Sequence, residues 1–202
     1  MSNENRKVSE KIVIIDYGAG NIQSIKFALE RLGYTGVLSS NVEEIRTADK
    51  VIFPGVGEAS SAMNKLKSTG LDKLIPQLKQ PVLGICLGMQ LMCNWSEEGD
   101  TKGLGIFDVD VVHFDDKMKV PHIGWNRITG LKTRLFEGIE NKEHVYLVHS
   151  FYAPVCEETI AECDYGVNYS SALNKDNFFG VQFHPEKSSA AGEKILENFL
   201  KI

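Results

Sequence analysis

The sequence predicts an α/β fold in three layers, a central and mostly parallel sheet flanked by helices. Three observations carry that prediction: apolar runs with no polar alternation, a glycine-bearing loop at the end of each run, and helical spacing after each loop. Lys11 to Asn21 reads KIVIIDYGAGN, an apolar run of the kind expected for a strand buried on both faces, followed by a turn. Ile22, Ile25, Leu29 and Leu32 then recur at helical steps, with Gly33 placed to end the helix. The unit returns as a strand over Lys50 to Phe53, a loop over Pro54 to Gly57 and a helix over Ala59 to Lys67. It returns again as a strand over Pro81 to Ile85 and a helix over Cys86 to Asn94. Beyond Gly105 the texture changes to short strand-like pieces at Phe107 to Phe114, Val145 to His149, Tyr165 to Tyr169 and Phe178 to Phe183, closed by a helix over Ala190 to Leu200. This half reads as mixed or antiparallel.

The 202 residues suit a single core, and fractions of 43% hydrophobic and 24% charged residues argue against disorder. Residues 1–10 are polar and read as a flexible extension, leaving 11–202 as one domain. A formal charge of −5 disfavours nucleic acid and anionic membrane as partners, since both require concentrated positive charge. No run reaches the ~18 apolar residues of a membrane span. The four cysteines show no CxxC spacing, so free thiols in the cytoplasm are expected, with no metal and no cofactor. Gly18-Ala19-Gly20 falls short of a dinucleotide fingerprint because Gln23 stands where the third glycine would be.

In open α/β sheets ligands bind beyond the carboxyl ends of the strands, so the loops at Asp16 to Asn21, Pro54 to Gly57 and Cys86 to Gly88 are expected on one rim. Gly84 to Gln90, GICLGMQ, sets a cysteine inside G-x-C-x-G between strand and helix, the form of a nucleophile elbow. The helix start there favours a thiolate. VQFHPEKS supplies the base: Pro185 disfavours helix for His184, and Glu186, two residues on in extended chain, points the same way as the imidazole. Glu186 would fix the tautomer of His184, freeing its other nitrogen to exchange a proton with Cys86. PGVG, Pro54 to Gly57, lets backbone N–H groups face a developing oxyanion, with Gly55, Val56 and Leu87 as donors. Taken singly, these motifs are a buried cysteine, a core histidine and a Pro-Gly turn; together they compose a Cys86-His184-Glu186 triad.

These three motifs closely resemble class I, triad-type glutamine amidotransferases. DYGAGN, VPHIGWN (Val120 to Asn126) and VHSFY (Val148 to Tyr152) narrow the resemblance to the glutaminase subunits of imidazole glycerol phosphate synthases, over about Lys11 to Ile202. The resemblance implies a glutamine amidotransferase-like, flavodoxin/Rossmann-like fold. It also implies hydrolysis of glutamine to glutamate and ammonia through a thioester on Cys86, with His184 as general base and acid and Glu186 as its orienter. Gly57, Gln90, Glu98 and the segment His149, Ser150, Phe151 match the family's substrate-holding positions. Asn21, Trp125, Tyr146 and Lys187 match positions at its subunit interface. The implied partner is a (β/α)₈-barrel cyclase subunit, which takes the ammonia for imidazole glycerol phosphate and aminoimidazole carboxamide ribotide formation in histidine biosynthesis. A related subunit serving a different synthase would carry the same triad.

Overall fold

In the computed structural model, which describes residues 10–18, 20–115 and 117–202, the first half is built of strand-loop-helix units. β1 (Ile12–Ile15), α1 (Ile22–Arg31), β2 (Gly36–Ser39), α2 (Val42–Arg46), β3 (Lys50–Gly55), α3 (Ala59–Thr69), α4 (Leu71–Leu74), β4 (Val82–Cys86) and α5 (Leu87–Leu91) follow in order. The second half contains β5 (Trp95–Ser96), β6 (Thr101–Lys102), β7 (Asp110–His113), β8 (His122–Thr129), β9 (His144–His149), β10 (Phe151–Pro154), β11 (Thr159–Asp164), β12 (Asn168–Lys175), β13 (Phe178–Val181) and α6 (Ser189–Leu200). Of the stretch 1–10, only Glu10 is among the described residues.

The strand order β2-β1-β3-β4-β13 is parallel throughout. Beyond β13 the sheet continues antiparallel through β12 to β10 and β7, while β11, β8 and β9 form a second antiparallel run from β12. Strand alternation feeds two cores. Ile12, Ile14, Ile52, Leu83 and Ile85 pack with Ile25 and Leu29 of α1 and Ile195, Leu196 and Phe199 of α6. Val13, Ile15, Val51, Phe53 and Val82 pack on the opposite face with Met63 and Leu66 of α3 and Met89 of α5. Burial on both faces is why these strands read as unbroken apolar runs, each buried aliphatic side chain contributing about 1.5–3 kcal/mol.

The structure corrects four expectations. The helix after Cys86 ends at Leu91, not Asn94, because the carbonyls of Leu91, Met92, Cys93 and Asn94 accept from N–H groups of Gly103 to Phe107 instead of continuing the helix. Tyr165 and Val167 lie in the turn between β11 and β12, and the strands flank them. Only Asp110–His113 of the Phe107 to Phe114 piece pairs as a strand. His184 is extended, but Pro185–Lys187 is a 3₁₀ turn, so Glu186 meets the imidazole by folding back rather than by extended alternation.

Candidate active site

The parallel arrangement brings the carboxyl ends of β1, β3 and β4 together. The rim is held by short contacts: the Tyr17 hydroxyl donates to the Pro54 carbonyl at 2.9 Å, and Pro54 and Gly55 stay in register with Ile85 and Cys86. At the end of β4, Cys86 has φ 54° and ψ −112°, a left-handed conformation for a residue with a side chain, and local strain of this kind is characteristic of a nucleophile elbow. Two glycines make the elbow possible. A Cβ on Gly88 would sit on the carbonyl oxygen of Phe53, and one on Gly84 would reach within 2.9 Å of the Met89 nitrogen. Cβ atoms at these positions would force α5 away from β3 and β4.

The His184 side chain faces the same pocket from the turn after β13. Its Nδ1 lies 2.9 Å from Oε1 of Glu186, and both side chains are almost fully buried. The turn is pinned to β9 on both sides. His184 N–H donates to the Tyr146 carbonyl at 2.9 Å; Tyr146 N–H donates to Ser188 Oγ at 2.9 Å; and Ser188 Oγ–H donates to the His184 carbonyl at 2.7 Å. His184 Nε2 is buried without a hydrogen-bond partner, one of few such atoms among the described residues. Burial disfavours the imidazolium, but the neighbouring Cys86 and Glu186 outweigh it and raise the His184 pKa to about 10.

Between these groups lies a pocket of about 280 Å³, a size for a metabolite and not for a macromolecule. Cys86, Leu87, Gln90, His184 and Val56 border it, as do Gly57, Glu98 and the His149-Ser150-Phe151 segment. A cysteine elbow, a carboxylate-bound histidine with one unsatisfied nitrogen, and a glycine-bearing loop on one small pocket are the parts of a covalent amide hydrolase. The description Glutamine amidotransferase class-I matches residues 13–202. The chain belongs to the class-I glutamine amidotransferase family. Among similar proteins, the imidazole glycerol phosphate synthase subunit HisH of Bacteroides thetaiotaomicron is 56% identical over 95% of this chain and 100% of its own length. The HisH subunit of Pectobacterium atrosepticum is 50% identical, again over 95% and 100%. The structure of PurLQS from Thermotoga maritima shares the fold at a TM-score of 0.73, with 15% identity over 96% of this chain and 98% of that one.

Within this amidotransferase the predicted residues divide into two groups. The pocket group is Cys86 and His184, Gly57 and Val56, Leu87, Gln90, Glu98 and the three residues from His149, with Glu186 directly behind His184. Gly55, expected among the oxyanion donors, does not border the pocket: a Cβ there would come 2.6 Å from the Gly88 nitrogen, so only glycine lets β3 and α5 touch at the elbow. Leu87 opens α5, so its N–H has no acceptor within the helix. Glu98 is no free loop carboxylate. Its Oε2 accepts from Ala59 N–H at the start of α3 at 2.8 Å, and burial raises its pKa against that bond. The second group lies on the surface. Trp125 on β8 is 53% exposed and meets the Tyr146 ring of β9 edge-on at 6.1 Å, with the Lys187 ammonium 5.8 Å from the centre of the same ring. Asn21 stands at the entry to α1, its side chain accepting from Ser24 Oγ at 3.1 Å and making no capping bond to the helix backbone. None of these four is a core residue.

Sequence reasoning missed three parts of the amidotransferase site. Tyr17 anchors the Pro54 loop, Ser188 anchors the His184 turn, and Gln182, fully buried, approaches the Cys86 sulfur. Each stands inside a segment that the sequence singles out, Tyr17 in DYGAGN and Gln182 and Ser188 in VQFHPEKS, but only Gln182 is marked by its type, as an uncharged polar residue interrupting the apolar run Phe178 to Phe183. Among the described residues no helix is long and apolar enough to cross a membrane.

Proposed function

We propose that this amidotransferase hydrolyses glutamine as the ammonia-producing subunit of imidazole glycerol phosphate synthase, with Cys86, His184 and Glu186 as its catalytic triad. The observation that carries the reading is the strained Cys86 elbow sharing a pocket with a His184 whose Nε2 has no partner of its own. The Cys86 sulfur attacks the side-chain amide carbon of glutamine. The oxyanion is received by the N–H groups of Leu87 and Val56, both of which border the pocket. His184, holding the proton from Cys86, gives it to the departing nitrogen, and ammonia leaves a γ-glutamyl thioester. Neutral His184 then takes a proton from water, whose oxygen attacks the thioester; the C–S bond breaks with its electron pair on sulfur, and glutamate is released.

Substrate is held at its amino-acid end. Gln90 Nε2 is already engaged by the Phe151 carbonyl at 2.8 Å and by Gln182 Oε1 at 2.9 Å. Its Oε1 is therefore the group to accept from the substrate ammonium, with Glu98 and the His149-Ser150-Phe151 segment completing the cradle together with Gly57. Ammonia passes to a (β/α)₈ cyclase partner docked over Trp125, Tyr146, Lys187 and Asn21. The exposed Trp125 supports this, since tryptophan is enriched where partners bind most tightly. Tyr146 supports it further, because its backbone pins the His184 turn and so links that face to the triad. We also propose cytoplasmic residence, supported by four free cysteines.

The test is glutamate release by the purified chain, alone and with the cyclase subunit and its ribulosyl nucleotide. A low rate that rises at least about tenfold in the full mixture, and vanishes in Cys86→Ala, is the expected outcome. A response to a different synthase, with Cys86 still required, would keep the chemistry and overturn the pathway. Activity undiminished in Cys86→Ala would overturn the chemistry.

A further inference from the structure

We propose that Gln182 is a further catalytic residue, donating a side-chain N–H to the Cys86 sulfur and so supporting its negative charge. The direction of this bond follows from a chain of amides with only one consistent orientation. The Phe151 carbonyl can only accept, so the Gln90 atom 2.8 Å from it is Nε2. That nitrogen lies 2.9 Å from a terminal atom of Gln182, which must then be Oε1, because two N–H groups cannot share the contact. The other terminal atom of Gln182, 3.7 Å from Cys86 Sγ, is therefore Nε2, a donor.

The fold holds this amide in place. Val181 and Phe183 pack into the core under α1 and α6, so strand alternation turns Gln182 toward α5, which carries Gln90. Its backbone N–H extends the ladder to the Ser171 carbonyl at 2.9 Å, and the residue is fully buried. A buried amide aimed at a sulfur is expensive unless the sulfur accepts, and a charged acceptor makes the bond markedly stronger. Such a donor acts when charge is on sulfur: before attack, and again when the C–S bond of the second tetrahedral intermediate breaks and the electron pair returns to sulfur. Because Gln90 Nε2 is the hinge of the chain, the same network ties the substrate-holding side chain to the nucleophile.

The inference rests on the reading of Cys86 as nucleophile, and the experiment separates the two. Gln182→Met keeps size and apolar packing but has no donor. In the complex of the chain with its cyclase partner, kcat for glutamine hydrolysis should fall about tenfold or more with KM nearly unchanged. Gln90→Met should instead raise KM. The pH–rate profile of Cys86 alkylation by iodoacetamide should move to higher pH in Gln182→Met, which a merely structural residue would not produce. An unmoved alkylation profile overturns the role of Gln182 even if kcat drops. Should the variant fail to fold, the wild-type chain decides: the side-chain amide resonance of Gln182 in ¹⁵N-labelled protein should shift when Cys86 is alkylated, and an unchanged resonance overturns the proposal. Glutaminase activity surviving Cys86→Ser would overturn the nucleophile reading itself.

Discussion

His184 and His149 border the same pocket, both buried, yet their surroundings drive them to opposite charge states. In each, Nδ1 is placed to donate: to the Glu186 carboxylate at 2.9 Å in His184, and to the Phe151 carbonyl at 2.8 Å in His149. The difference lies in the charge of that acceptor and in what Nε2 finds. His149 Nε2 is 3.2 Å from the Tyr169 hydroxyl, which must donate to it, and Tyr169 is then left to accept from His122 Nδ1 at 3.4 Å. Asn126 Nδ2, oriented by its 2.8 Å bond to the Asp164 carbonyl, completes the chain at His122 Nε2. Every partner in this second region is neutral, and burial pushes His149 down to about 3 and His122 down to about 4. For His184 burial acts the same way, but Cys86 and Glu186 overcome it and the pKa rises to about 10. One carboxylate and one sulfur thus separate a histidine held protonated from one held neutral, with burial common to both.

The sharpest way to break this contrast is Glu186→Gln, which keeps a hydrogen-bonding side chain of the same size but removes the charge. Glutaminase kcat should fall about 10²- to 10⁴-fold, measured as glutamate release in the partner-bound complex, with folding retained by circular dichroism. A variant with near wild-type rate would show that the carboxylate charge is not what distinguishes His184. A smaller effect is expected in the neutral region. Tyr169→Phe leaves His149 Nε2 without its donor, and urea unfolding should show a loss of about 1–3 kcal/mol. Its glutaminase rate should fall far less than that of Glu186→Gln.

The smallest effect is a pH dependence whose sign differs between the two regions. His184, raised from 6.5 to about 10, contributes stability that is complete below pH 6.5 and lost as pH climbs toward 10. His149 and His122 are lowered, so their neutral forms contribute stability above pH 6.5 that is lost as pH falls toward 4 and then 3. Melting temperature should therefore decline on both sides of about pH 6.5, with the acid limb shallower in His122→Gln and the alkaline limb shallower in His184→Gln. An acid limb unchanged in His122→Gln would mean that this histidine is not held neutral in the fold.

How legible these two regions were in the sequence differs for a physical reason. GICLGMQ and FHPEKS are local: the glycines, the elbow cysteine and the Pro-constrained histidine lie within a few residues of the partners that shape them, so their chemistry reads directly from the chain. The His122-Tyr169-His149 chain joins β8, β12 and β9 across antiparallel pairings, and no short window of sequence contains two of its members. Strand boundaries behaved alike. The parallel strands β1, β3 and β4, buried on both faces, were evident from their composition, whereas β2, half exposed at Val37 and Leu38, carries no such run. The turn at Tyr165 is apolar enough to read as strand until pairing of β11 with β12 shows where the chain reverses.

The α/β class and the residues proposed as a triad were legible in the chain itself, since both rest on periodicity and short motifs, whereas Gly84 and Gly88 are required by the close approach of Met89 and Phe53 in the folded chain. Long-range contacts set the end of α5 at Leu91, the 3₁₀ turn that carries Glu186 to His184, the exposure of Trp125 and the aim of Gln182 at sulfur. The aim of Gln182 hangs on partners brought from 61 and 96 positions away, as between Gln90 and Phe151 and between Gln182 and Cys86, while α5 stops where the carbonyls of Leu91 to Asn94 meet the N–H groups of Gly103 to Phe107. The orientation of an amide, or the charge of a buried imidazole, is set by whichever acceptor the completed sheet places beside it.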